Sequence, residues 1–257
     1  MNDRVVTFKK DGPIGIITLN RVGQHNAITS QMAAQILEIK EEVGYGSDIS
    51  ILVITGEGKD AFCIGTEATE YSLFDSREDF FSRLRTASVI CTLSQPTIAA
   101  INGNAMGQGL EIALACDIRI SSETAYFSMS HINQGEIPWD GGTQLLSRLV
   151  GKGKALEMIL LGETIHAQEA LKIGLVNHLV APDELMPSVL KIARELGNKG
   201  SIALRHGKEA INKGMDMTLE QGLRLEADLY FLLHTTSDRI EGIKAFQEKR
   251  PPYFTGK

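Results

Sequence analysis

Short apolar runs alternate with polar stretches along the first half of the chain. Val5 to Phe8 and Ile14 to Leu19 flank Asp11-Gly12-Pro13, which predicts two strands of a hairpin. After the loop RVGQHNA, Met32, Ile36, Ile39 and Val43 recur at helical spacing, so a helix is expected to open near Thr29 or Ser30. Ile51 to Thr55 reads as a buried strand, the partly aromatic stretch from Ser72 to Ser94 as helical, and Pro96 to Ile101 as a strand. Gly107 to Cys116 reads as a short buried helix, followed by strands at Asp117 to Ser121 and around Phe127. This switching predicts α/β layers with crossover helices rather than a sandwich or a bundle.

From Gly142 onward the pattern turns mostly helical. Segments are expected at Gly142 to Leu149, Lys152 to Leu160, Gln168 to Lys172, Pro182 to Leu196, Ser201 to Asn212, Thr218 to Leu232 and Ser237 to Glu248. Leu175 to Val180 is the one expected strand among them. The change of pattern places a boundary near Gly197 to Gly200, giving a core over 1–199 and a helical annex over 200–257.

Composition adds limits. A chain of 257 residues with 43% hydrophobic and 23% charged residues supplies a large core, and one of this size buries about 70 to 75% of its extended surface without disulfides or metal clips. Cys63, Cys91 and Cys116 are odd in number and form no CxxC pair, which points to a reducing compartment. Twenty-six basic against 32 acidic residues give a net charge of -6 with no long block of either sign, which argues against a nucleic-acid partner. The start, MNDRVVTFKKDG, has no apolar targeting region, and no run approaches the roughly 20 apolar residues of a membrane span. A cytoplasmic protein without a membrane partner is expected.

Three segments carry candidate chemistry. Ala61 to Glu67 contains Gly65 just beyond a strand, where backbone N–H groups can turn toward an oxyanion, although an ordinary connection has the same composition. Asn102 to Glu111 has three glycines in seven positions at the entry to a helix, whose N-terminus favours negative charge. Its spacing fits neither a GK[ST] phosphate loop nor a GxGxxG dinucleotide motif. Glu111 lies in the apolar run LEIALACD, where burial suits general acid or base work; facing solvent or capping a turn are the alternatives. The third segment, His131 to Gly142, crowds an imidazole, Glu136, Asp140 and the single tryptophan Trp139 together. Proton transfer is one reading; a strand-end histidine, an aspartate capping the helix from Gly142 and a core tryptophan form the other. There is no GxSxG elbow, and the six histidines show no metal-ligand spacing. Lys244, Lys249 and Arg250 could meet phosphate or simply face solvent.

Taken together, these motifs resemble the crotonase superfamily, the enoyl-CoA hydratase/isomerase family. The matching pieces are LNR…HNAIT at 19–29, ILVITGEGKDAFCIGT at 51–66, PTIAAINGNAMGQGLEIALACDIRI at 96–120, GEIPWDGGTQLLSRLVG at 135–151 and EGIKAFQEKRPPYF at 241–254. The resemblance implies a crotonase-like spiral of ββα units with a C-terminal helical trimerisation region, assembled as a homotrimer or dimer of trimers. It implies an acyl-CoA substrate, with coenzyme A as part of the thioester and no metal or redox cofactor. By position the Thr66 and Gln108 N–H groups would form the oxyanion hole, Gln108 standing where the family commonly has glycine. Glu111 matches the first hydratase glutamate, while His131 replaces the second. Trp139, Gly135 and Ile64 would line the substrate pocket, and Ala27, Ile64, Phe246 and Lys249 would contact CoA.

The nine-residue separation of His131 and Asp140 looks like the superfamily's β-diketone hydrolases, such as 6-oxocamphor hydrolase. The resemblance therefore implies hydration or dehydration of an unsaturated acyl-CoA, cyclic and dienoyl substrates included, with Glu111, His131 and Asp140 sharing the proton transfers. The alternative is a CoA-linked carbon–carbon hydrolase. Double-bond isomerisation and a non-catalytic trimeric scaffold rank below both.

Overall fold

The computed structural model describes residues 4–44, 47–72 and 74–257. The first three residues and Leu73, inside the expected 72–94 helix, lie outside the described residues. The chain runs through β1 (Val6–Asp11), β2 (Ile14–Leu19), α1 (Ser30–Glu42), β3 (Ile51–Gly56), β4 (Ala61–Cys63), α2 (Arg77–Leu84), α3 (Ala87–Cys91), β5 (Thr97–Ile101), β6 (Asn104–Met106) and α4 (Gln108–Ala115). It continues with β7 (Ile118–Ser122), β8 (Tyr126–Ser128), α5 (Gly142–Val150), α6 (Lys152–Leu161), β9 (Thr164–His166), α7 (Ala167–Lys172), β10 (His178–Val180) and α8 (Leu185–Gly197). The remaining helices are α9 (Ser201–Gly214), α10 (Leu219–Leu233) and α11 (Ser237–Glu248).

Two sheets organise these elements. The larger has the order β1-β2-β3-β5-β7-β10 and is parallel except for the β1–β2 hairpin, whose register runs from Val6 opposite Leu19 to Asp11 opposite Ile14. The smaller has the order β4-β6-β8-β9, with only the β8–β9 pair antiparallel. The chain alternately lays a strand in the large sheet, a short strand in the small one, and then a helix. That repeat is the spiral of ββα units.

The run ILVIT is continuously apolar because both faces of β3 are covered. Leu52 and Ile54 point into the main core with Phe62, Phe127 and Leu110, whereas Ile51 and Val53 point to the opposite face, against Leu185, Val189 and Ala193 of α8. All eight residues of α4 are buried. Thr29 caps α1, its hydroxyl accepting from the Met32 N–H at 3.2 Å, a contact of about 1 kcal/mol.

Several expectations change in detail. The 72–94 helix is broken into α2 and α3 at Arg85-Thr86. β4, β6 and β9 have three residues each, too few for a period to show, and β9 adds a strand to the expected helical half. The strand expected at Leu175 to Val180 shrinks to three residues. In the annex, α9 has no buried residue and α10 has only Leu229. Lys208 ties α9 to the core, its Nζ lying 2.7 Å from Asp117 Oδ2 and 2.9 Å from the Gln95 carbonyl.

Candidate active site

The expected oxyanion segments meet. Gly65 (φ +105°) and Gly107 (φ +51°) take backbone conformations that favour glycine, and a Cβ placed on Gly65 would stand 3.5 Å from the Gln108 nitrogen. Ile28 fixes the first segment: its N–H donates to the Gly65 carbonyl at 2.7 Å and its carbonyl accepts from Glu67 at 2.8 Å. In that parallel bridge the Thr66 N–H faces away from Ile28. Gln108 is the first residue of α4, so its N–H has no acceptor within the helix. Gly109 has no alternative, because a side chain there would collide with the Cys63 carbonyl.

Glu111, one turn into α4, is fully buried. Its Oε1 accepts from the N–H groups of Asp140 at 3.0 Å and Gly142 at 2.8 Å, which fixes the carboxylate plane. Oε2 has no hydrogen-bond partner among the described residues and faces His131 Nε2 at 3.6 Å. His131 sits in a 3-10 turn, Ser130–Gln134, and is 5% exposed with Nδ1 also unpartnered. Trp139, half-buried nearby in sequence, leaves its indole N–H unpartnered as well and packs on Phe80 and Phe81 at 4.7 and 5.9 Å between ring centroids. Unsatisfied buried polar atoms are uncommon, and the unpartnered Glu111 Oε2 facing His131 makes that pair a candidate place for a polar reactant.

Asp140 behaves differently from the expected acid or base. Its Oδ2 accepts from the N–H groups of Thr86 and Ala87 at 2.8 and 2.7 Å, from Thr86 Oγ1 at 3.3 Å and from Gln108 Nε2 at 3.1 Å. Its Oδ1 accepts from the Ser88 N–H at 3.1 Å and the Ser88 hydroxyl at 2.6 Å. These donors leave no open lone pair for a reactant. The residue holds the start of α3 instead of capping α5, where Gly141 is the cap. It meets Glu111 only through its backbone N–H.

Sequence reasoning did not single out Tyr71. It lies beyond Thr66, with its phenol within hydrogen-bonding reach of the side chains of Thr66 and Glu136; burial foremost, with Glu136 adding, raises its pKa above the ordinary phenol value. No local motif marks it, since the loop EATEYS has no period. Asn26 of the HNAIT motif was likewise unexplained. It adopts φ +59°, is buried, and braces the loop by donating to the carbonyls of Glu57 and Ala61. Burial pushes the Cys63 thiol up to about 12, so it is no nucleophile beside Gly65.

The other expected positions are scattered. Ala27 is buried with its carbonyl on Arg21 Nη1 at 2.6 Å, Ile64 is 42% exposed next to Gly65, and Gly135 (φ +76°) faces open space. Phe246 is 85% exposed on α11, and Lys249 ends that helix at φ +52°. An open cavity of about 680 Å³ lies away from Glu111, at the other end of α4, lined by Cys116, Asp117, Leu145, Arg148, Lys208 and Ile211 among others. Among the described residues no cluster of His, Cys, Asp and Glu is placed to hold a metal, and no helix is long and apolar enough to cross a membrane.

Comparison with known proteins identifies the family of the chain. The model of the enoyl-CoA hydratase/isomerase family matches residues 9–257. The chain belongs to the enoyl-CoA hydratase/isomerase family. It is 42% identical to YngF of Bacillus subtilis, assigned to the same hydratase/isomerase group, with each chain covered in full. It is 36% identical to the crotonyl-CoA hydratase of Syntrophomonas wolfei over 98% of each chain. The crystal structure of an enoyl-CoA hydratase from Bacillus anthracis superposes with a TM-score of 0.94 at 36% identity, covering 99% of this chain and all of the other. Members of this family are enzymes, and the fold is the crotonase fold expected from the motifs.

Proposed function

We propose that this protein adds water across the double bond of a 2-enoyl-CoA thioester, and catalyses the reverse dehydration. The observation that carries the reading is the half-satisfied Glu111 carboxylate: one oxygen is locked by two backbone N–H groups while the other faces His131 across 3.6 Å. A water held by that pair gives its proton to Glu111 Oε2 as its oxygen bonds to C3. The C2–C3 electron pair moves toward the thioester oxygen, and the enolate is held by the N–H groups of Thr66 and Gln108, where loss of one donor typically costs about 10² to 10³ in rate. The Glu111–His131 pair then returns a proton to C2, so one water is consumed overall. His131 stands where the hydratases have their second glutamate, and its facing of Glu111 supports its taking that part.

Carbon–carbon hydrolysis would need Asp140 as a proton donor. Its six accepted hydrogen bonds argue against that, and the names of the relatives favour hydration. CoA would lie along Ala27 and Ile64, with Phe246 and Lys249 supplied by a neighbouring copy. The exposed Ile211, Leu219, Phe231, Phe246 and Tyr253 of the annex are too apolar for a lone surface and support a homotrimer or dimer of trimers. A cytoplasmic enzyme needing no metal or redox cofactor fits this chemistry.

Incubation with crotonyl-CoA tests the reading. Loss of the enoyl thioester absorbance, a mass gain of one water and fragments of a 3-hydroxyacyl-CoA are expected. An unchanged substrate, or a product with a newly opened carboxylate from a cyclic 3-oxoacyl-CoA in preference, would overturn it.

A further inference from the structure

Gln108 occupies a position commonly filled by glycine in the family, and its side chain is fully engaged. The two Nε2 hydrogens serve three acceptors, one for the Leu84 carbonyl at 2.7 Å and one shared between Thr86 Oγ1 and Asp140 Oδ2, each at 3.1 Å, while Oε1 lies 2.7 Å from Thr66 Oγ1. We propose that Asp140, Gln108 and Thr66 form a positioning brace that sets the spacing of the two amides of the oxyanion hole. The proposal rests on the reading of those amides as the hole.

The chemistry of the partners fixes every direction in the brace. A backbone carbonyl only accepts, so the group beside Leu84 must be the amide nitrogen of Gln108, and Oε1 must be the end beside Thr66. The Thr66 hydroxyl is therefore the donor in that pair, and its proton is committed. It has none to give a substrate carbonyl, which leaves the two backbone N–H groups as the donors of the hole. Asp140 completes the brace by holding Gln108 Nε2 and the first N–H groups of α3 with the same oxygen. The Gly65-Thr66 segment, the start of α4 and the start of α3 are thus joined through side chains, independently of the backbone bridge to Ile28. A glycine at 108 would join none of them. Asp140 acts as a positioning residue through Gln108, which accounts for an aspartate buried beside the site with no lone pair open to it.

Acetoacetyl-CoA is a suitable probe, because its enolate absorbs in the near ultraviolet and its bound enolate fraction reports on the hole directly. The variants are T66V, T66S and Q108A, all of which keep the backbone N–H groups, with E111Q as the arm that tests the hydratase reading. Thr66 is only partly buried, so T66V should fold. T66V and Q108A are expected to lower the enolate fraction and the kcat for crotonyl-CoA by about tenfold, with affinity for CoA itself unchanged and T66S restoring what T66V loses. Wild-type enolate signals in both T66V and Q108A, alongside an inactive E111Q, would overturn the brace and leave the hydratase reading standing. Full hydration by E111Q, with the signal still lost in T66V, would overturn the hydratase reading instead. No enolate band on the wild-type protein would count against the hole on which the brace depends.

Discussion

Two buried carboxylates, Glu111 and Asp140, lie side by side in the fold and are joined by one backbone hydrogen bond. Around Asp140 every polar atom is paired: six donors reach its two oxygens from Thr86, the first turn of α3 and Gln108. Around Glu111 the pairing stops halfway, with Glu111 Oε2, His131 Nδ1 and Trp139 Nε1 left without partners among the described residues. A fully satisfied buried network rigidifies, whereas a half-satisfied one has capacity for a reactant. On the proposed hydratase reading, the contrast separates residues that hold geometry from residues that move protons.

The contrast can be broken at either end. Glu111→Gln keeps the shape and the acceptor for the two N–H groups but removes the proposed base, so kcat should fall roughly 10³-fold with the melting temperature little changed; steady-state kinetics and thermal unfolding check both halves. His131→Gln should cost less, about 10²-fold in kcat, because the imidazole shares a task that Glu111 begins. Asp140→Ala should show the opposite profile. It leaves the buried N–H groups of Thr86 and Ala87 without acceptors, at about 1–3 kcal/mol for each left unsatisfied, so denaturant unfolding should show the largest stability loss of the three variants.

The smaller effects sharpen the same division. Trp139→Phe removes the unpartnered indole N–H while keeping a ring against Phe80, and kcat/KM for crotonyl-CoA should stay within about tenfold of wild type, one net hydrogen bond at most. Far from the cleft, Arg250 hydrogen-bonds to Glu241 and, with the Tyr253 N–H, lowers the Glu241 carboxyl to about 2. Because the folded value is depressed, its contribution to annex stability is present above the unfolded value of about 4.5 and is lost as pH falls toward 2. The ion pair lies at the surface where solvent screens it, so the effect is small. A carboxyl NMR titration should find the Glu241 midpoint near 2, and Arg250→Gln should move it up toward 4.5 without altering kcat.

Much of this division was legible in the chain. The β1–β2 hairpin, the helix opening at Thr29, the buried α4 and the two glycine-shaped segments followed from periodicity, turn residues and the resemblance. Of the second sheet only the strand around Phe127 was expected; β4, β6 and β9 were not, because three residues carry no period and their pairing is set by the spiral. Glu111 was recognisable as a carboxylate in an apolar run. Asp140 was not assignable from its own segment, since its partners lie 52 to 54 residues earlier in α3, together with Gln108 in α4. The break between α2 and α3 and the role of Asp140 are one feature seen from two places: Arg85-Thr86 leaves the helix where the aspartate takes up the next N–H groups. Spacing between His131 and Asp140 suggested a catalytic pair, but the histidine faces Glu111 instead.

The most direct measurement is the pH dependence of crotonyl-CoA hydration by E111Q and D140N, prepared and assayed side by side. The account predicts that E111Q loses activity across the whole range, while D140N keeps measurable hydration with both limbs of the wild-type kcat profile at their original pH and a lower plateau. A D140N enzyme that loses one limb of the profile, beside an E111Q enzyme that still hydrates the substrate, would contradict it.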